Sequence, residues 1–167
     1  MAFLVEDGTG LTAATSYVSV AAADTYHTAH GAPATWTAAT TATKEAALMA
    51  ATVYMDAVYT WVGSIAVDTQ ALGWPRVSAV DAEGRDVAST SVPAKVADAC
   101  AYLANQHLTT PLTDTYTRGE GVKRQKVGPL EIEYNDSARP GTWMPYAKQI
   151  IQDLITNVAG QATLTRA

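Results

Sequence analysis

Apolar and polar positions divide the chain into helical stretches, one long non-helical region and a late pair of β-type runs. The clearest helical pattern is TATKEAALMAATVYMDAVYTWV at residues 41–62, where Leu48, Ala51, Met55, Val58 and Val62 recur at spacings of three and four. Thr52 and Tyr59 widen this stripe. Thr41 is the candidate cap, and Lys44 and Glu45 are expected on the exposed side. Each large side chain buried there should contribute roughly 1.5–3 kcal/mol, and small residues at 46, 47, 50 and 51 let a second helix approach closely. Ahead of it, Ser19 caps a predicted helix over VAAADTYHTAH, with Gly31 as its stop. Trp36 should anchor the connection between the two. From residue 63 to 91 helical periodicity fails. There the Gly73-Trp74-Pro75-Arg76 segment should insert its indole against the helices, and Gly84 should supply a turn. Pro93 opens a third long helix whose inner stripe is Val92, Val96, Ala99, Cys100, Leu103 and His107. Residues 122–127 and 130–134 read as a hairpin joined by Gly128-Pro129. A last helix over residues 142–158 is expected to bury Tyr146, Ile150, Leu154 and Val158, widened by Ile151 and Ile155.

These elements predict a mainly α fold, a bundle of about four to five helices with a small β-hairpin near 122–134. The 167 residues suit one domain over 1–160, followed by a flexible C-terminal tail at 161–167. A net charge of −5 opposes a dedicated nucleic-acid binder, which would show a basic face. The single cysteine, Cys100, excludes an internal disulfide and fits a reducing compartment. With no signal peptide and no membrane-length apolar run, synthesis in the cytoplasm and no membrane association are expected.

Candidate chemistry is sparse. GTGLTA at residues 8–13 meets the loose dinucleotide fingerprint, but TSYVSV follows where a helix should open, so it reads as a turn. His27 and His30 lie three apart without a third ligand and read as a surface or half-buried pair, so no metal is expected. Cys100, on an inner stripe, reads as a small hydrophobe. No nucleophile elbow, phosphate loop or zinc pattern is present, so no catalytic residue, cofactor or enzymatic activity is expected. The hairpin is the most distinctive charged feature: Lys123, Arg124 and Lys126 lie on one strand, Glu131 and Glu133 on the other, with Leu130, Ile132 and Tyr134 alternating to the opposite face.

Six motifs in order carry a family resemblance: VEDGTGL at 5–11, SYVSVAAADTYH at 16–27, KEAALMAATVYMD at 44–56, QALGWPR at 70–76, VP at 92–93 and VKRQKVGPLEIEY at 122–134. Together they resemble head–tail connector (adaptor) proteins of tailed bacteriophages, a family often labelled DnaT-like single-stranded DNA-binding protein. Ala22 departs from the pattern, standing where an acidic capping-box residue is expected three after Ser19. The resemblance implies a structural protein of the virion neck, made in the host cytoplasm and assembled as a dodecameric ring beneath the portal protein. Such a ring extends the DNA channel without sequence-specific DNA binding and docks the next neck or tail-completion protein. On this reading neighbouring adaptor copies would meet through Lys123, Arg124, Lys126, Glu131 and Glu133, and the tail residues Gln161, Leu164 and Arg166 would reach the portal. The alternative is a single-stranded DNA-binding protein of phage replication. It would use the basic segment at 118–126, with Tyr116 and Tyr134 for stacking.

Overall fold

A computed structural model describes residues 2–112 and 144–156, together with the backbone of two strands at 124–127 and 130–133. The order is α1 (Val20–Ala29), α2 (Ala34–Thr37), α3 (Thr41–Val58), β1 (Ser64–Ile65), β2 (Arg76–Val77), α4 (Ala94–Thr109), β3 (Arg124–Val127), β4 (Leu130–Glu133) and α5 (Pro145–Ile150), with a 3₁₀ turn at Gln152–Leu154. The protein is mainly helical, as the periodicity predicts. Among the described residues there are five helices, and β3 and β4 form the small antiparallel hairpin.

The centre is α3 packed on α4, with α1 and α5 against α4. Leu48, Ala51, Thr52 and Met55 of α3 meet Val96, Ala99, Cys100 and Leu103 of α4, all fully buried. Small side chains at Ala47, Ala51, Ala99 and Ala104 keep the inner faces flat enough for this approach. Thr52 would be a buried polar group, but its hydroxyl donates to Leu48 O at 2.9 Å within its own helix.

Several boundaries differ from expectation. The cap of α3 is Thr40, whose Oγ1 accepts from Thr43 N at 3.3 Å, and not Thr41. Lys44 is half-buried, since Asp24 holds it at 2.8 Å and it lies over the Trp36 ring. The helix ends at Val58, which is 50% exposed, and Tyr59 turns extended. The physical reason lies in Trp61. Its buried indole is wanted beside Asp56 and Trp74, and an extended backbone delivers it there while Val62 N donates to Leu154 O. At the other end of the bundle, α5 stops after six residues. Ala147, Ile151, Leu154 and Ile155 are buried while Tyr146 is 48% exposed, so the inner face is rotated from the predicted one. A 3₁₀ turn and the Trp61–Ile155 bridge replace the continued helix, because the chain pairs there with residues 60–62. Val158 and Gly160 lie outside the described residues.

Other expectations hold. Ser19 caps α1 by accepting from Ala22 N, so no acidic residue at 22 is needed, and Gly31 follows in the left-handed region. Pro93 occupies the cap position of α4, one residue before its first turn. Trp36 and Trp74 are fully buried, and Gly84 turns a loop closed by Asp81.

Candidate functional site

The hairpin is placed by its register. Arg124 faces Glu133 and Lys126 faces Glu131, while Gln125 faces Ile132 and Val127 faces Leu130. Positions of opposite charge are therefore cross-strand partners, joined by the two residues Gly128 and Pro129. Lys123 and the tail residues Gln161, Leu164 and Arg166 lie outside the described residues.

The motifs at 5–11, 16–27, 44–56 and 70–76 form internal polar joints. Near the N-terminus, buried Glu6 turns its carboxylate inward: Oε1 accepts from Gly8 N and Gly10 N, and Oε2 from Leu11 N, each at 2.9 Å. Those amides are the ones a phosphate would have to use, so the glycine-rich segment already holds its anion. Gly8 needs to be glycine twice over. Its φ is +97°, and a Cβ would stand 2.2 Å from Thr90 O.

In QALGWPR, Gln70 Oε1 accepts from Ala66 N and Val67 N, and its Nε2 donates to Leu72 O and Pro75 O. Arg76 donates to the carbonyls of Val62, Gly63 and Gly73. Asp56, at the end of α3, closes the joint. It accepts from Tyr17 Oη at 2.5 Å, Trp61 Nε1 at 2.9 Å and Gly73 N at 3.0 Å. Burial, then the neighbouring Asp56 carboxylate, pushes the Tyr17 hydroxyl far above the ordinary phenol range. A Cβ on Gly73 would sit 2.7 Å from both Asp56 Oδ1 and Trp61 Nε1, which explains the glycine before Trp74.

The remaining candidates are also structural. His27 is buried with Nε2 3.1 Å from Ala101 O, and burial lowers its pKa, whereas His30 is exposed. The pair thus divides into a core histidine and a surface one. Among the described residues no group of three or more His, Cys, Asp or Glu side chains is placed to hold a metal. Cys100 is fully buried beside Thr52, and burial pushes its thiol up to about 12, which makes it inert as a nucleophile.

One surface was not singled out from the sequence. Asp98 and Tyr102 lie four apart on α4, and Tyr102 meets Tyr146 of α5. The Tyr102 and Tyr146 rings meet edge-on with centroids 4.8 Å apart, and Tyr26 stacks on His30 at 4.2 Å. Burial, and then the proximity of Tyr146, Asp98 and Tyr102, pushes Tyr26 up to about 12. Asp98 is half-buried, and burial raises its pKa; none of the hydrogen bonds or ion pairs formed by the described residues reaches its carboxylate. The i, i+4 spacing of Asp98 and Tyr102 is visible in the sequence, but their nearness to residues 26 and 146 is not.

A family model described as "Putative DnaT-like ssDNA binding protein" matches residues 1–167. The chain belongs to this DnaT-like family. No curated protein and no solved structure matches it. The family's description names single-stranded DNA binding, and so agrees with the alternative reading of the sequence more than with the adaptor. The six motifs that carried the resemblance fall within the matched span.

Proposed function

We propose that this DnaT-like protein is a structural head–tail adaptor, forming a ring under the portal that extends the DNA channel and docks the next neck or tail component. The observation that carries the choice is that four of the five described cations, all but the exposed Lys148, are engaged by the chain itself. Lys44 is bound to Asp24, Arg85 to Asp81 and Glu83, Lys95 to Asp153, and Arg76 to three backbone carbonyls. A single-stranded DNA groove needs free cations beside stacking aromatics. Here Trp36 and Trp74 lie in the core, and Tyr17 and Trp61 are buried around Asp56. A surface of engaged charges suits protein–protein assembly better than phosphate contact. The hairpin, with opposite charges at partnered positions, supplies a ribbon that a neighbouring copy can read.

The second reading, single-stranded DNA binding, is favoured by the family's description. Its cations would come from the basic segment at 118–126.

Imaging of virions of the phage that encodes the chain, with the protein tagged, tests the proposal. Density at the neck is expected, with one ring beneath the portal; absence of the protein from the neck would remove the adaptor reading. In parallel, fluorescence anisotropy with an oligo-dT strand should give weak binding that collapses with salt. Tight binding at physiological ionic strength would promote the second reading.

A further inference from the structure

We propose that the outward face of α3, centred on Val53, is the docking surface for residues 157–167 of the same chain. The inference goes beyond the adaptor reading and holds under either reading of the function. It begins with the make-up of α3, which is apolar on two sides. One side meets α4 through Leu48, Ala51 and Met55, all fully buried. On the other, Ala46, Met49, Val53 and Ala57 follow at spacings of three and four and so share a face. Ala46 and Ala57 are exposed, and Val53 is 66% exposed. No charge interrupts this row: Lys44 is held by Asp24, Asp56 by its three donors, and Glu45 stands at the margin. A helix on the surface carries polar side chains on its outer face, whereas one that is apolar all round is covered all round. The composition of α3 is that of the second kind.

The occupant follows from where the described chain stops and which way it points. Val62 N donates to Leu154 O, Trp61 bridges Ile155 in antiparallel sense, and Thr156 donates to Thr60 O from both its amide and its hydroxyl, at 2.8 and 3.1 Å. Residues 154–156 therefore run back toward α3 as they advance. Thr156 stops opposite Thr60, two residues past Val58, where α3 ends. Continued in that direction, the chain meets the C-terminal end of the apolar row. Its reach is sufficient. The eleven residues 157–167 span at most about 36–40 Å when extended, and the 18 residues of α3 are about 27 Å long. Their composition fits the surface, with Val158, Ala159, Ala162 and Leu164 and a single charge, Arg166. Glu45, toward the other end of α3, is half-buried, and none of the hydrogen bonds or ion pairs of the described residues reaches it. It supplies a carboxylate for Arg166. Because Thr156 tethers the segment at the edge of the row, its effective concentration there is on the order of millimolar, which favours the chain's own segment over that of a second copy.

Paramagnetic relaxation enhancement on the full chain tests this. Cys100 is fully buried, so a nitroxide attached to Thr163→Cys reports from that position alone. The spin-labelled, isotope-labelled protein is diluted into an excess of protein carrying neither label, so that only contacts within one chain are seen. The amide signals of Met49, Val53 and Ala57 are expected to be lost, and to return when the nitroxide is reduced. Val53→Asp, at an exposed position, and Leu164→Asp, outside the bundle core, should each bring them back, because each sets a charge into an apolar contact. Melting temperatures close to wild type would show that the variants are folded; should Val53→Asp fail to fold, Leu164→Asp alone decides. Signals that stay sharp beside the intact nitroxide overturn the inference, as does a loss that persists in a folded variant. Loss seen only when spin-labelled protein is mixed with separate isotope-labelled protein assigns the face to a second copy, and overturns it as well.

Discussion

Asp56 and Asp98 are both half-buried aspartates on long helices, and both stand beside tyrosine. Their surroundings nevertheless differ in kind. Asp56 receives three donors from three separate segments, Tyr17, Trp61 and Gly73, and so ties the N-terminal loop and the GWPR loop to α3. Asp98 lies one turn before Tyr102 on α4, feels only the charge of His30, and receives no donor from the described residues. A buried acceptor with all its partners rigidifies a fold. The region richest in recognisable motifs is therefore the structural one.

The largest effect should follow from breaking the engaged side of this comparison. Asp56→Ala leaves the Tyr17 hydroxyl, the Trp61 indole N–H and the Gly73 amide without an acceptor, and is expected to cost roughly 3–5 kcal/mol in urea unfolding. A loss below about 1 kcal/mol would mean that water replaces the carboxylate and that the joint is not structural.

Next in size is Glu6→Ala. It empties the ring of three amides and should cost about 2–4 kcal/mol. Because those amides would then be free to meet an anion, added phosphate is expected to raise the melting temperature of Glu6→Ala more than that of wild type. An identical response to phosphate in both proteins would show that the loop collapses when the carboxylate is removed.

Two smaller predictions turn on pH and have opposite signs. Hydrogen bonding to Lys44 holds the Asp24 carboxyl below its ordinary value of 3.8. Its contribution is thus present above that value and is lost as pH falls through the folded-state pKa. Asp24→Asn should be less stable than wild type by up to about 1 kcal/mol near neutrality, given the exposure of the pair. The difference should close in the acid range. Asp98 behaves the other way: burial raises its pKa above 3.8, so its ionised form opposes folding and acidification relieves that penalty. Asp98→Asn should match or slightly exceed wild-type stability at neutral pH, with the gain vanishing as pH falls below the unfolded value. A clear loss of stability in Asp98→Asn would reveal an intramolecular partner and weaken the contrast with Asp56.

Much of this was legible beforehand. The inner faces at Leu48, Ala51, Met55, Val96, Cys100 and Leu103, the Ser19 cap, the turns at Gly31 and Gly84, and the 124–127/130–133 hairpin all follow from periodicity or turn chemistry. Those signals act over a few residues, where sequence spacing translates directly into geometry. The errors lie where distant partners decide. The end of α3 and the shortening of α5 depend on Trp61 meeting Asp56, Trp74 and Ile155, contacts that no local pattern encodes.

By itself, then, the sequence determined the helical class, the inner stripe of the α3–α4 pair, the strand pairing and the membership of a DnaT-like family. Only the tertiary structure decided which polar groups are engaged. It placed Glu6 in its ring of amides and Asp56 among three donors, and gave Asp98 no donor from the described residues. The reason is that helix and turn propensities arise from neighbours along the chain. Whether a carboxylate finds a donor depends on which segments, tens of residues away, fold against it.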